Sequence, residues 1–312
     1  GEPTVRDDLP EIVGAAKGAG AASVQLNSNG LRLGSDPEFA MRLAEAGLDF
    51  VFMQFDGVDD EPYKILRGRP LLAEKLEAIR VCGECGIGVT LVPTVAPKVN
   101  DNQIGAIIKF GIEHTPAVRG VHFQPISYFG RYPDPPADES RITLPEIISS
   151  IERQTDGLIR QADLMPSSCD HPRCGFHGDF MITPGRLVSL TPKNDDGSEG
   201  CCCCSDGETK PDEDGEALRN RNFVARRWKR NLRLEKEAAE LCRTETSGDP
   251  GSEESMDFDA FLAKVAAGGF TVTGMAFQDA YNLDIERLRR CSLHVYDEGR
   301  IVPFCARYLT RI

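Results

Sequence analysis

From residue 50 to 55 the chain reads Phe-Val-Phe-Met-Gln-Phe, an almost unbroken apolar run that stops on Asp56-Gly57. A strand with one wet face alternates polar and apolar residues, so a run of this kind predicts a strand covered on both sides. Comparable runs occupy residues 88–93 and 120–125, with a shorter one at 22–26. Helical patterns separate them, at 7–19, 36–46, 70–85 and 101–114. Asp7 and Asp8 favour the N-terminus of the first. Asp36 caps the second, Pro37 takes its first position and Gly47 stops it. Alternation of this type predicts a parallel sheet flanked by helices. A doubly wound sheet and a (β/α) barrel both satisfy it. Polar residues gather where strands end, at Glu2, Asn27 to Asn29, Gln54 to Asp56, Thr94 and Gln124 to Ser127. That favours the barrel, whose chemistry sits at the C-terminal ends of its strands.

The character changes after residue 165. Arg131-Tyr132-Pro133-Asp134-Pro135-Pro136 reads as a linker, and a helix is predicted over 144–161. A Cys- and Gly-rich stretch follows, with a polar, disorder-like loop at 194–215, a basic helix over 218–242 and an acidic linker at 244–255. A helix at 257–267 and a strand at 268–275 precede a final Cys-bearing segment. The expected division is an α/β domain over 1–165 and a Cys-rich α+β extension over 166–312. Formal net charge of −13 argues against non-specific binding to nucleic acid or to an anionic membrane surface. No stretch approaches the roughly 18 apolar residues of a membrane span. Eleven cysteines are too many for ordinary usage, and the adjacent Cys201 to Cys204 make a poor disulfide framework. Metal or iron–sulfur ligation in a reducing compartment, the cytoplasm, explains them better.

Several short motifs occur in a fixed order. Gly1-Glu2-Pro3-Thr4 opens the chain, and Asn27-Ser28-Asn29-Gly30 closes the first predicted strand. Asp56-Gly57-Val58-Asp59-Asp60 and Leu66-Arg67-Gly68 follow, then Leu91-Val92-Pro93-Thr94-Val95, Pro97-Lys98-Val99-Asn100-Asp101 and Gly120-Val121-His122-Phe123-Gln124-Pro125. Singly they are ordinary: Asn29-Gly30 suits a plain turn, and Asp36 and Asp101 suit helix caps. In this order they resemble the radical S-adenosylmethionine enzymes, in the branch of tetraether-lipid synthases, pterin methylases and their thiol- or selenol-containing bacterial relatives. The resemblance implies a partial (β/α)6 barrel that lacks its first βα units. It implies S-adenosylmethionine held by Gly1, Glu2, Ser28, Gln54 and Asn100, with Gln54 standing where the family usually has a small hydroxyl residue. The family's Cys-x3-Cys-x2-Cys loop, which ligates the catalytic [4Fe-4S] cluster, has no counterpart here, since no Cys precedes Cys82. A fragment without that loop is expected to be inactive. The parent enzyme would generate a 5′-deoxyadenosyl radical and methylate or couple an unactivated carbon. Its partners would be a small-molecule or lipid-like substrate and an electron donor such as ferredoxin or flavodoxin. No individual catalytic residue is assigned.

Ser168-Cys169-Asp170-His171-Pro172-Arg173-Cys174 places two thiols around a Pro turn, and Cys291 and Cys305 follow far downstream. Four thiolates from Cys169, Cys174, Cys291 and Cys305 would suit an auxiliary iron–sulfur cluster, a mononuclear iron or zinc. Buried free thiols are the plain alternative. Cys82 and Cys85 lie on one face of a predicted helix, where packing is the simpler reading. Arg226 to Arg230 forms a basic run around Trp228, which reads as an anchor on a solvated face. Two other function classes fit less of the chain: a zinc-containing barrel enzyme without radical chemistry, and a metal-binding or electron-transfer module.

Overall fold

The computed structural model describes residues 1–129, 134–167, 170–183, 186–191, 228–245 and 267–309. Its first half alternates strands and helices. Strands β1 (Gln25–Ser28), β2 (Phe50–Gln54), β3 (Gly88–Val92), β4 (Thr94–Val95) and β5 (Val118–Pro125) alternate with helical segments. These are α1 (Leu9–Gly18), α2 (Leu31–Ser35), α3 (Pro37–Glu45), α4 (Glu61–Arg67), α5 (Leu72–Glu84), α6 (Ile104–Glu113) and α7 (Leu144–Gln154). The caps behave as the sequence predicts for α3: Asp36 Oδ1 accepts from Phe39 N at 3.0 Å, Pro37 opens the helix, and Gly47 takes φ 97°. A capping box of Thr143 and Glu146 opens α7. That helix ends at Gln154, short of the expected residue 161, because Asp156 and Gly157 adopt φ of 55° and 76° and turn the chain out of the helix.

Later strands are β6 (Met165–Pro166), β7 (Gly175–Thr183), β8 (Arg186–Ser189), β9 (Gly269–Met275), β10 (His294–Asp297) and β11 (Arg300–Pro303). Helices α8 (Leu232–Glu245), α9 (Ile285–Arg289) and α10 (Phe304–Leu309) accompany them. Of the basic helix expected over 218–242, the described part starts at Leu232. Residues 218–227, the 194–215 loop and most of the 257–267 helix lie outside the described residues.

One sheet runs through both halves in the order β1-β2-β3-β5-β9-β7-β6, while β10 and β11 form a separate hairpin. Strands β1, β2, β3, β5 and β9 are mutually parallel, and β7 returns antiparallel to β9. The fold is therefore mixed α/β on a largely parallel sheet, with β9, far along the chain, extending the first-half strands.

The two faces of this sheet differ in chemistry. One carries Leu26, Val51, Met53, Phe55, Val89, Leu91, Val121, Phe123, Phe270 and Val272, all in the core cluster with α3, α5, α6 and α7. The alternate positions, in register across the strands, are Gln25 and Asn27, Phe50, Phe52 and Gln54, Thr90, His122 and Gln124, Thr271 and Thr273, and His177 and Asp179. Each large apolar side chain buried on the first face contributes on the order of 2 kcal/mol. Slipping any strand by one residue would exchange that set for the polar one, so the register is firmly set.

Trp228 lies on the polar face at the strand N-termini. Its ring centroid is 5.3 Å from that of Phe50 and 4.7 Å from that of Phe52, and its Nε1 donates to Thr271 Oγ1 at 2.7 Å. Gly88 makes room for it, since a Cβ there would sit 2.1 Å from the Trp228 carbonyl oxygen. The Trp is the expected anchor. The basic run around it is only partly solvated: Lys229 is 58% exposed and pairs with Asp49, whereas Arg230 is 9% exposed and held by Glu235 and the Gly83 carbonyl.

Candidate cofactor and substrate site

At the C-terminal ends of β1 to β3 the sequence-predicted residues come together. The Glu2 carboxylate accepts four hydrogen bonds: from Thr4 N at 3.1 Å, Thr4 Oγ1 at 2.7 Å, Ser28 Oγ at 2.8 Å and Asn29 N at 2.6 Å. Burial works against its charge, but these donors outweigh burial and hold its pKa below the usual carboxylate value. Ser28 Oγ in turn accepts from Gly30 N at 3.0 Å, and Gly30 at φ 79° turns the chain into α2. Gly1 is exposed, with open space around it.

Gln54 and Asn100 belong to a second network. Gln54 Nε2 donates to Asp56, and its Oε1 accepts from Lys75 Nζ at 3.3 Å. Asp56 is fully buried and takes a bidentate pair from Arg67, at 2.8 and 3.1 Å. Asn100, 1% exposed, donates to the Asp56 and Thr94 carbonyls and accepts from Ala96 N at 2.8 Å. Every predicted polar side chain here is thus engaged by the protein. They frame the loops at the strand ends.

Lys75 joins the two networks and went unread in the sequence. Its side chain is completely buried, and Nζ donates to the Asn29 carbonyl as well as to Gln54. Burial pulls its pKa down to about 8, against the attraction of Asp56 and Glu2. The signal was available: Lys75 shares a helix face with Ala78, Ile79 and Cys82, three buried apolar neighbours.

On the polar face two groups are short of partners. Thr90 Oγ1 is buried and has no hydrogen-bond partner among the described residues. His122 Nδ1 lies 2.8 Å from Thr273 Oγ1, and burial drives the pKa of His122 down to about 4. His177, in register with Thr273 on the other side, is also lowered by burial.

The cysteines form a third group. Cys174, Cys291 and Cys305 line one small cavity with Asp170, Arg287 and Phe304. Asp170 Oδ1 accepts from both N and Oγ of Ser292 at 2.8 Å, latching the loop before Cys174 to the loop after Cys291. Arg287 Nε donates to Cys174 Sγ at 3.2 Å, and Gln278 N donates to Cys305 Sγ at 3.3 Å. Burial raises the thiol pKa of Cys291 and Cys305. Cys169 lies outside the described residues, and among those described no three His, Cys, Asp or Glu side chains form a site for a single metal ion. Cys201 to Cys204 are likewise undescribed. Cys82 is buried in the core, its pKa pushed up to about 12 by burial, and Cys85 packs beside it, as packing residues should.

Residues 1–111 match the model of the radical SAM superfamily. Over 98% of its length the chain is 33% identical to the 7,8-dihydro-6-hydroxymethylpterin dimethyltransferase of Methanocaldococcus jannaschii, of which it spans 64%. It is 29% identical, over 68% of its length, to the Fe-coproporphyrin III synthase of Methanosarcina barkeri, spanning 55% of that protein. Against a probable GTP 3',8-cyclase of Sulfurisphaera tokodaii it is 33% identical over 36% of the chain and 35% of the relative. The chain spans about two thirds or less of each of these relatives. Among the described residues no helix is long and apolar enough to cross a membrane. The family model and the chain-long similarity to a pterin dimethyltransferase together identify residues 1–111 as a radical S-adenosylmethionine superfamily domain.

Proposed function

We propose that this chain is the cofactor- and substrate-holding part of a radical enzyme that methylates, or forms a carbon–carbon bond at, an unactivated carbon. The observation that carries this reading is the strand-end cluster of Glu2, Ser28 and Asn29, set at the end of a sheet whose second face carries polar residues. In the proposed arrangement the sheet curves as a partial (β/α)6 barrel around that face. The chemistry that S-adenosylmethionine supplies in this superfamily is hydrogen abstraction from carbon by a radical derived from it. The exposed Gly1–Glu2 backbone would hold its ammonium, and Glu2 would hold that backbone still. Trp228, Phe50 and Phe52 would close the opposite end of the face and exclude water there. The eleven cysteines contain no Cys-x3-Cys-x2-Cys spacing, so this chain's own residues do not fit the catalytic cluster.

Cys174, Cys291 and Cys305, with Cys169, are proposed to hold an auxiliary iron–sulfur cluster, whose several irons suit thiols too far apart for one metal ion. The Asp170–Ser292 latch and the N–H donors on two of the sulfurs support it, because thiolate ligands are commonly stabilised by such hydrogen bonds. An electron donor of the ferredoxin or flavodoxin kind and a small-molecule substrate complete the proposal. Anaerobic iron and sulfide analysis tests the metal. Iron should fall in Cys174→Ala and Cys305→Ala, and unchanged iron in both would rule the ligand set out.

A further inference from the structure

Arg287 is the cation lining the thiol cavity. Its backbone is fixed by a relay that begins at one of the sulfurs. Gln278, buried, donates its N–H to Cys305 Sγ at 3.3 Å and accepts on Oε1 from Asp284 N at 2.5 Å. Asp284 then caps α9, its Oδ1 accepting from Glu286 N at 3.0 Å and from Arg287 N at 3.4 Å. From that helix the half-buried guanidinium reaches back: Nε donates to Cys174 Sγ at 3.2 Å and Nη2 to the Ala276 carbonyl at 2.5 Å. Ala276 N donates in turn to the Cys174 carbonyl at 2.8 Å, so the guanidinium is clamped between the end of β9 and the loop that leads into β7. Nearby arginines pair with carboxylates, Arg289 with Glu286 and Arg173 with Asp284. Among the described residues no carboxylate forms an ion pair with Arg287.

Taking a cation out of water is costly unless an opposite charge faces it, and the group that faces this one is a sulfur. We infer that Arg287 is a positioning residue of the thiol site, which holds Cys174 Sγ in place and raises the reduction potential of the iron–sulfur cluster bound there. This rests on the auxiliary-cluster reading proposed above. Reduction adds one electron to the cluster, and its charge spreads onto the sulfurs; no bond is made or broken. A guanidinium N–H on one sulfur stabilises the reduced form more than the oxidised form. Hydrogen bonds to sulfur and local net charge are the terms by which a protein sets such potentials.

The test uses the full chain, loaded anaerobically with iron and sulfide. Iron and sulfide per chain are counted, and the midpoint potential is read by electron paramagnetic resonance as dithionite is added. Arg287→Met should keep its iron, because the thiols remain, and should be reduced at a more negative potential. Its reduction equilibrium should weaken tenfold or more, about 59 mV for one electron. Arg287→Lys, which keeps the charge but not the planar donor, should fall between the wild type and Arg287→Met. Arg289→Met, on the same helix but paired with Glu286, should leave the potential unchanged. An unchanged potential in Arg287→Met would overturn the inference, and so would an equal shift in Arg289→Met. If Arg287→Met alone loses its iron, Arg287→Lys decides: a negative shift supports the inference and none overturns it. Iron lost from both Arg287 variants would make the residue a purely structural support and overturn it as well. A wild type that binds neither iron nor sulfide would sink the auxiliary-cluster reading itself, a result distinct from iron bound at an unaltered potential.

Discussion

His122 and Lys75 show how single residues were shaped by burial. Both titratable groups are pushed toward their neutral forms, yet neither sits in a wholly apolar pocket. For His122 the consequence is measurable. Its folded pKa, about 4, lies below the ordinary 6.5, so between those values the unfolded chain holds more protons than the folded one. Stability attributable to this residue is complete above pH 6.5 and is lost as pH falls toward 4, with a slope of up to about 1.4 kcal/mol per pH unit. In His122→Leu the urea-unfolding free energy should therefore depend less steeply on pH across that window; an unchanged slope would mean that the imidazole is charged or exposed. Part of this was legible beforehand. Glu2, Ser28, Gln54 and Asn100 were found by motif order, and the structure brings them to one end of the sheet. Their hydrogen-bond saturation was not legible, because it depends on Thr4, Lys75 and Asp56 arriving from other elements.

At the scale of elements, strand positions and the Asp36 cap followed from pattern: β2, β3 and β5 stand within two residues of their expected places, whereas Asp101 accepts from Lys98 N and caps no helix. The polar face was harder to see. Phe50 and Phe52 occupy polar-face positions in β2 and disguise the alternation that Gln25 and Asn27, or Thr271 and Thr273, display openly. Aromatic residues stand there because Trp228 packs on them, a contact between segments nearly 180 residues apart. Close approach of that segment requires Gly88. Gly88→Ala places a methyl against the Trp228 backbone, so the segment must lift. Trp228 is the single Trp, and its emission should shift to longer wavelength in this variant, with stability falling by about 1–3 kcal/mol. Emission identical to the wild type would show that Trp228 is not docked on β2.

Taken as a whole, the molecule is one sheet shared between a motif-rich first half and a Cys-rich second half, joined by the β5–β9 pairing. That pairing brings the strand-end site, the His122 patch and the thiol cavity onto neighbouring strands, since Cys174 leads into β7 and Met275 ends β9. No local sequence pattern announces a parallel partner about 150 residues away, so this join was legible only as two separate strand-like segments. The central claim is that the Glu2 latch builds a binding site for S-adenosylmethionine. Equilibrium dialysis with labelled S-adenosylmethionine, on wild type and Glu2→Gln, decides it. Glutamine cannot replace a carboxylate that accepts from Thr4, Ser28 and Asn29 together, so affinity should drop tenfold or more while the fold, followed by circular dichroism, survives. Saturable binding of equal strength in both proteins, or no binding in the wild type, would contradict it.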